Sequence, residues 1–168
     1  MLHYIYNYLL KNHMFNSLII IGAKYLIALP LLATVVFFFQ QEKNTKKMLA
    51  IFSVVILPLI FIVAKIASKL YSNPRPFVVG HFTPLITHSA DNGFPSDHTL
   101  LASAVAMAVF YFNRKLGTIL MIIALLVGLS RVLAGVHHLV DIFGSIIISI
   151  IVSSLVYYFL KSNLLRKD

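Results

Sequence analysis

The chain has no cysteine and no tryptophan, and only five acidic residues in 168. Without cysteine there is no disulfide, no thiolate nucleophile and no thiolate metal ligand. The five carboxylates form no rich cluster of the kind a divalent cation takes. Charge of either sign is scarce at 11% of residues, where an average soluble domain carries about a quarter. In its place, 60% of residues are hydrophobic and the mean hydropathy is +0.90. A soluble domain of this size cannot hide that much apolar surface. The composition points to an all-α integral membrane protein with one domain over residues 1–168. The net charge of +9 does not imply a nucleic-acid partner, because the basic residues fall in short gaps between apolar runs. That distribution is a topology signal. No basic n-region precedes an apolar core at the N-terminus, so no cleaved signal peptide is expected.

Five apolar runs are long enough to be read as transmembrane helices, roughly 20 residues being needed to cross the hydrocarbon. Residues 1–16 mix tyrosines with polar groups and read as a short interfacial helix, a frayed terminus being the other reading. The first span is 17–39, with Lys24 near one end where its stem can snorkel. The second is 48–70, with Pro58 expected to kink or loosen it. Residues 71–95 hold Pro74, Pro76, Pro84, Pro95, Gly80 and Gly93, a density that excludes a continuous helix. A short third span opens at Ser96, a candidate N-cap, and runs to Phe112. The fourth is 116–129 and the fifth 138–160. In the fifth, Gly144 and the row Ser145, Ser149, Ser153 make a small-residue stripe suited to close helix packing. Phe37, Phe38 and Phe39 read as lipid-facing, and Lys65 as a second snorkelling anchor.

Eight basic residues lie in connectors on one side: Lys43, Lys46, Lys47, Arg114, Lys115, Lys161, Arg166 and Lys167. The positive-inside rule makes that side cytoplasmic. The N-terminus is then outside and the C-terminus inside. Three polar islands, Lys69–Phe77, Pro95–Thr99 and Ser130–Asp141, emerge together on the outer face. Ionisable groups at a membrane boundary are costly, so these are functional candidates.

His137 and Asp141 are four apart, which places them on one face if the fifth helix starts near His137. A carboxylate on one imidazole nitrogen sets the tautomer and raises the basicity of the other. Arg131 lies at the corner between the fourth and fifth helices, and Arg75 is held between two prolines. Two arginines beside a histidine suit an anion with paired oxygens, such as phosphate. Ser96, Asp97 and His98 open the third span, whose N-terminus also favours an anion. One histidine can attack phosphorus while the other protonates the leaving oxygen. Two histidines and an aspartate can bind zinc, but the arginines oppose a cation, so no metal and no cofactor is expected. His138 reads as structural or interfacial, and His81 and His88 as parts of a solvated loop. Asp97 either tunes His98 or favours the first helical turn.

The motifs resemble a known family. Ser130-Arg131, five residues, His137, three residues, Asp141 matches the third signature of the type-2 phosphatidic acid phosphatase superfamily. Pro95-Ser96-Asp97-His98 is similar to its second signature, and Arg75-Pro76 to the end of its first. Asp97 stands where most members have glycine. Phe94–Thr99 and Pro74–Phe77 resemble the bacterial undecaprenyl-diphosphatase (bacitracin-resistance) branch. The first signature carries a lysine seven residues before its arginine, but position 68 is serine here. Lys69 stands six before, rotated by about 100° on a helix.

The resemblance implies that His137 is a nucleophile forming a phosphohistidine, that Asp141 orients it, and that His98 protonates the leaving group. Arg75, Ser96 and Arg131, with Lys69 as the weakest member, would bind the phosphate. The implied substrate is a polyprenyl diphosphate lipid of the bacterial inner membrane. The implied reaction converts undecaprenyl diphosphate to undecaprenyl phosphate, the carrier lipid reused in cell-wall synthesis. Two alternatives stand beside it. One is the same chemistry on phosphatidylglycerol phosphate, phosphatidate or lipid A. The other is a non-catalytic binder or transporter of an anionic lipid.

Overall fold

A computed structural model describes residues 13–164. Among these are seven helices and no extended strand. The interfacial helix expected over 1–16 lies outside the described residues except for 13–16, which belong to the first helix.

The expected first span, 17–39, is two helices. They are α1 (His13–Tyr25) and α2 (Ala28–Gln40), bent by 43° at the break. Pro30 explains the bend. Its ring collides with the carbonyl four residues back, that of Leu26, and it has no N–H to donate there. The Leu26 carbonyl instead accepts from Leu29 N at 3.1 Å in a tight turn. The next helix, α3 (Lys43–Leu70), carries Pro58 within one unbroken element. The proline- and glycine-rich segment after it contains only a single turn, α4 (Pro76–Val79), with Pro76 at its first position, where a missing N–H costs nothing.

The central element is α5 (Asp97–Phe110). Ten of its residues between Thr99 and Val109 are buried, and it packs on α2, α3 and the two helices that follow it. A helix that is apolar all round belongs inside, and its four core alanines, Ala102, Ala104, Ala106 and Ala108, let neighbouring backbones come close. Fourteen residues make a helix of about 21 Å, shorter than the hydrocarbon thickness of about 30 Å. The expected short third span is therefore a short internal helix packed among its neighbours. Then come α6 (Arg114–Leu133) and α7 (Leu139–Leu164). The α6 helix extends one turn beyond its expected end, so Arg131 lies within its last turn and not in a corner loop. Its start is capped by Asn113, whose Oδ1 accepts from Leu116 N at 3.0 Å.

Among the described residues, three helices are long and apolar enough to cross a membrane, Lys43–Leu70, Arg114–Leu133 and Leu139–Ser162, and the bent α1–α2 pair makes a fourth if it crosses as one span. Large apolar side chains such as Phe39, Val54, Phe61, Ile147 and Phe159 face outward. Phe37 departs from the expected lipid-facing stretch and is buried against the core. At one end of the bundle Phe52 meets Tyr111, Phe112 and Tyr157. Along the α5–α7 seam the serine row is fully buried. Ser103 Oγ donates to Ser149 Oγ at 2.8 Å, and Ser145 Oγ donates to the Ser96 carbonyl at 3.0 Å. These bonds dock the two helices in one register.

Close approach also sets the α5–α6 corner. A Cβ at Gly117 would collide with the backbone of Phe110. Gly117→Ala is expected to destabilise the protein by about 1–3 kcal/mol, the usual cost of overpacking. This is read as a lower unfolding midpoint in detergent. An unchanged midpoint would mean that the corner opens without strain.

Candidate active site

The site is built around the Asp141 carboxylate in the first turn of α7. It is fully buried, and a buried carboxylate must find donors. It has three. Asn73 Nδ2 donates to Oδ1 at 2.7 Å, His138 N donates to Oδ2 at 2.8 Å, and His137 Nδ1 lies 3.2 Å from Oδ2. The His137–Asp141 pair forms as expected, but not on one helical face. The helix starts only at Leu139. His137 lies in the turn before it, where Gly135 takes a positive φ of 80° and Val136 N reaches back to the Arg131 carbonyl.

The second imidazole nitrogen of His137 faces a guanidinium. Arg75 Nη1 lies 3.3 Å from His137 Nε2 and donates to the Val136 carbonyl at 2.9 Å. Its Nε donates to Asp91 Oδ1 at 2.7 Å. Arg75 is 4% exposed and Arg131 3%. Arg131 Nη1 donates to the Ala23 carbonyl at 3.3 Å, near the end of α1. Its Nε is buried with no partner, an open donor for an anion. Ser96 is fully buried at the N-cap position of α5, yet its side chain makes no capping bond. Its Oγ accepts from Thr99 Oγ1 at 3.1 Å, which leaves its proton for another acceptor. His98, two residues on, interacts electrostatically with Arg131 and His137. The tertiary structure therefore gathers Arg75, Ser96, His98, Arg131, His137 and Asp141 at one end of the bundle. Among the described residues, no group of three or more His, Asp or Glu converges as a metal cage does.

Lys69 does not join them. It is exposed, and the cavity of about 240 Å³ beside Arg75 is lined by Lys65 and Ser68 from α3, with Asp91, Asn92 and Asp97. Lys69, next to the last residue of α3, stands on the same helical stripe as Lys65 but is not among the residues that line the cavity. Lys65, expected only as a snorkelling anchor, does line the cavity. His138 is structural as expected, with Nε2 at 3.1 Å from the Pro74 carbonyl.

Two asparagines carry roles that were not expected. Asn73 supports Asp141. Asn92 ties the loop together: its Oδ1 accepts from Asn73 N and Phe94 N, and its Nδ2 donates to the carbonyls of Ser68 and Tyr71. An asparagine in a proline- and glycine-rich loop looks like any turn residue, so nothing in the chain's pattern singles these out.

Burial and environment set the charges. Burial lowers the His137 pKa, the Asp141 hydrogen bond pulls it back up, and the charges of Arg75 and Arg131 push it down, leaving it below the ordinary histidine value. The imidazole is thus kept neutral, with a lone pair on Nε2. Burial alone would raise the Asp91 carboxyl, but hydrogen bonds from Arg75 and Ser89 hold it below the usual carboxylate range.

Residues 47–164 match the family model of the PAP2 superfamily. The chain is 35% identical over 156 residues to undecaprenyl-diphosphatase BcrC of Bacillus subtilis, covering 92% of this chain and 79% of that one. It is 30% identical over 146 residues to a bacitracin transport permease protein BcrC of Bacillus licheniformis, covering 86% and 71%. The fold resembles the crystal structure of Aquifex aeolicus LpxE, with a TM-score of 0.65 at 23% identity, over 88% of this chain and 87% of that one.

The electrostatics give a measurable outcome. His137 should titrate below about pH 6.5, the ordinary histidine value, in nitrogen-resolved NMR of imidazole-labelled protein. Asp141→Asn removes the one influence that raises it, so the titration should move lower still. A wild-type midpoint at or above the ordinary value would mean that the carboxylate outweighs burial.

Proposed function

The chain belongs to the PAP2 superfamily, and on this premise we propose that it removes the terminal phosphate of undecaprenyl diphosphate, releasing undecaprenyl phosphate and inorganic phosphate. The observation that carries the reading is the buried His137. One ring nitrogen is fixed by Asp141 and the other faces Arg75 at 3.3 Å. The reacting atom and an anion-binding group are already in contact, so a phosphate drawn to the guanidinium arrives at the nucleophile.

In the first step His137 Nε2 attacks the terminal phosphorus. The bond to the bridging oxygen breaks, and that oxygen leaves on the lipid monophosphate with the bonding pair. Asp141 stabilises the positive charge that develops on the imidazole. Arg75, Arg131 and Ser96 donate to the equatorial oxygens, whose charge spreads in the transition state. In the second step water attacks the phosphohistidine, the P–N bond breaks, and His137 recovers its lone pair. His98 gives a proton to the leaving oxygen in the first step and takes one from water in the second.

The site's setting supports a lipid substrate. The polar groups sit at one end of an apolar bundle whose outer surface carries large hydrophobic side chains, so a headgroup can react while its tail remains in the bilayer. The basic connectors at the opposite end support an orientation with the site facing the exterior of a bacterial inner membrane and the C-terminus in the cytoplasm. The substrate assignment draws on the name of the Bacillus subtilis relative. The transport name carried by the Bacillus licheniformis relative makes a binder or transporter the rival, and catalysis decides between them.

Purified protein should release phosphate from undecaprenyl diphosphate with a chelator present, and His137→Ala should abolish release without changing the unfolding midpoint. No release from any lipid phosphate would sink the enzymatic reading. Substrate class has its own test. A diphosphate leaves as a stabilised monoester and needs little protonation, whereas a phosphomonoester leaves as an alkoxide. His98→Ala should therefore slow monoester hydrolysis by the 10²–10⁴-fold typical of lost acid catalysis, and diphosphate hydrolysis much less. Equal, severe loss on both would count against the diphosphate preference.

A further inference from the structure

His88 was expected in a solvated loop, and the structure puts it over the nucleophile. Its ring stands edge-on to His137 with centroids 6.0 Å apart, and it is only partly exposed. Both flanks of its loop are pinned. On one side Leu85 N donates to the Ala134 carbonyl at 3.0 Å, and Ile86 is buried with Ile19, Ala23, Ala134 and Val136. On the other, Asp91 holds Arg75 and Gly93 N donates to the Asn73 carbonyl at 2.9 Å. The ring between these pins is therefore held in place by the fold.

His88 makes no bond across the site that would explain its position structurally. Its Nδ1 contacts only its neighbour Ser89, at 3.4 Å from the carbonyl and 3.5 Å from the hydroxyl. Meanwhile Arg75, Arg131 and His137 all act on it electrostatically, as it does on His98. Burial and then the two arginines lower its pKa. A phosphate dianion reverses the balance: it favours a proton on the nitrogen that faces it.

We propose that His88 is a third imidazole of the site, donating a hydrogen bond from Nε2 to a non-bridging oxygen of the phosphoryl group that His137 attacks. The proposal deepens the lipid-phosphatase reading above and rests on it for the reaction. The contact itself needs only a phosphate. Arg75, Arg131 and Ser96 approach from helix ends and from the Pro74–Pro76 turn, whereas His88 approaches from the loop that closes over them. That loop lies outside the three polar islands that carry the motifs.

The test uses full-length protein in detergent, inorganic phosphate as the probe, and calorimetry as the readout. His88→Ala should weaken phosphate binding about tenfold, the usual scale for one hydrogen bond to a charged group, and should lower kcat/KM on the lipid diphosphate by a similar factor. His88→Gln places an amide N–H near the Nε2 position and should recover most of the binding. Wild-type phosphate affinity in His88→Ala would overturn the proposal. So would equal loss in both variants at unchanged unfolding midpoints, which would assign the effect to loop packing. If phosphate binding depends on His88 but no lipid phosphate is hydrolysed, the contact stands and the catalytic reading fails.

Discussion

The site depends on satisfying one buried carboxylate. Asp141 has no access to water, and an unpaired charge there would cost several kcal/mol. Its three donors come from two distant parts of the chain: the Asn73 amide from the loop after α3, and the His138 backbone with the His137 ring from the turn before α7. Satisfying Asp141 therefore assembles the site. The same bonds orient the His137 ring and leave its Nε2 facing Arg75. Asn92 extends the effect by holding Asn73 and the end of α3 in register.

The bundle supplies a rigid frame for this cluster. The α5 helix is short, alanine-rich and buried over most of its surface from Thr99 to Val109, which holds its N-terminus with Ser96 and His98 against α6 and α7. The serine seam between α5 and α7 locks their register by hydrogen bonds that have no water to compete with. Ser145 ties that seam to the site directly, donating to both the Ser96 and Asp141 carbonyls. Packing and polar satisfaction are thus one network along α7, and the His137 ring sits just before its N-terminal end.

The sites of disagreement between sequence and structure have physical causes. Pro30 broke the first span because a proline three residues into a helix still clashes with the carbonyl before it, and hydropathy alone does not register that. Lys69 shares the helical stripe of Lys65 but stands at the very end of α3, where its side chain is exposed. His88 and the two asparagines were illegible because their partners are far away in sequence: His88 faces His137, and Asn73 reaches Asp141 across 68 positions. A loop histidine or asparagine carries no periodicity that would point to such a partner. By contrast, Arg75, Ser96, His98, Arg131, His137 and Asp141 stood out because each is a polar residue at the edge of an apolar run.

By itself the sequence determined the membrane class and the position of the apolar runs, and it singled out six polar residues that the fold brings to one end of the bundle. Those follow from solvent: hydrocarbon tolerates long apolar runs and penalises charge, so both are visible along one dimension. Tertiary structure alone decided that α5 is an internal helix, that the first span bends, and that Asn73 and Asn92 hold the site from behind. It also decided that the ring of His88 stands edge-on to that of His137. These are matters of direction and of donors paired across long separations, and no one-dimensional pattern records which way a side chain turns.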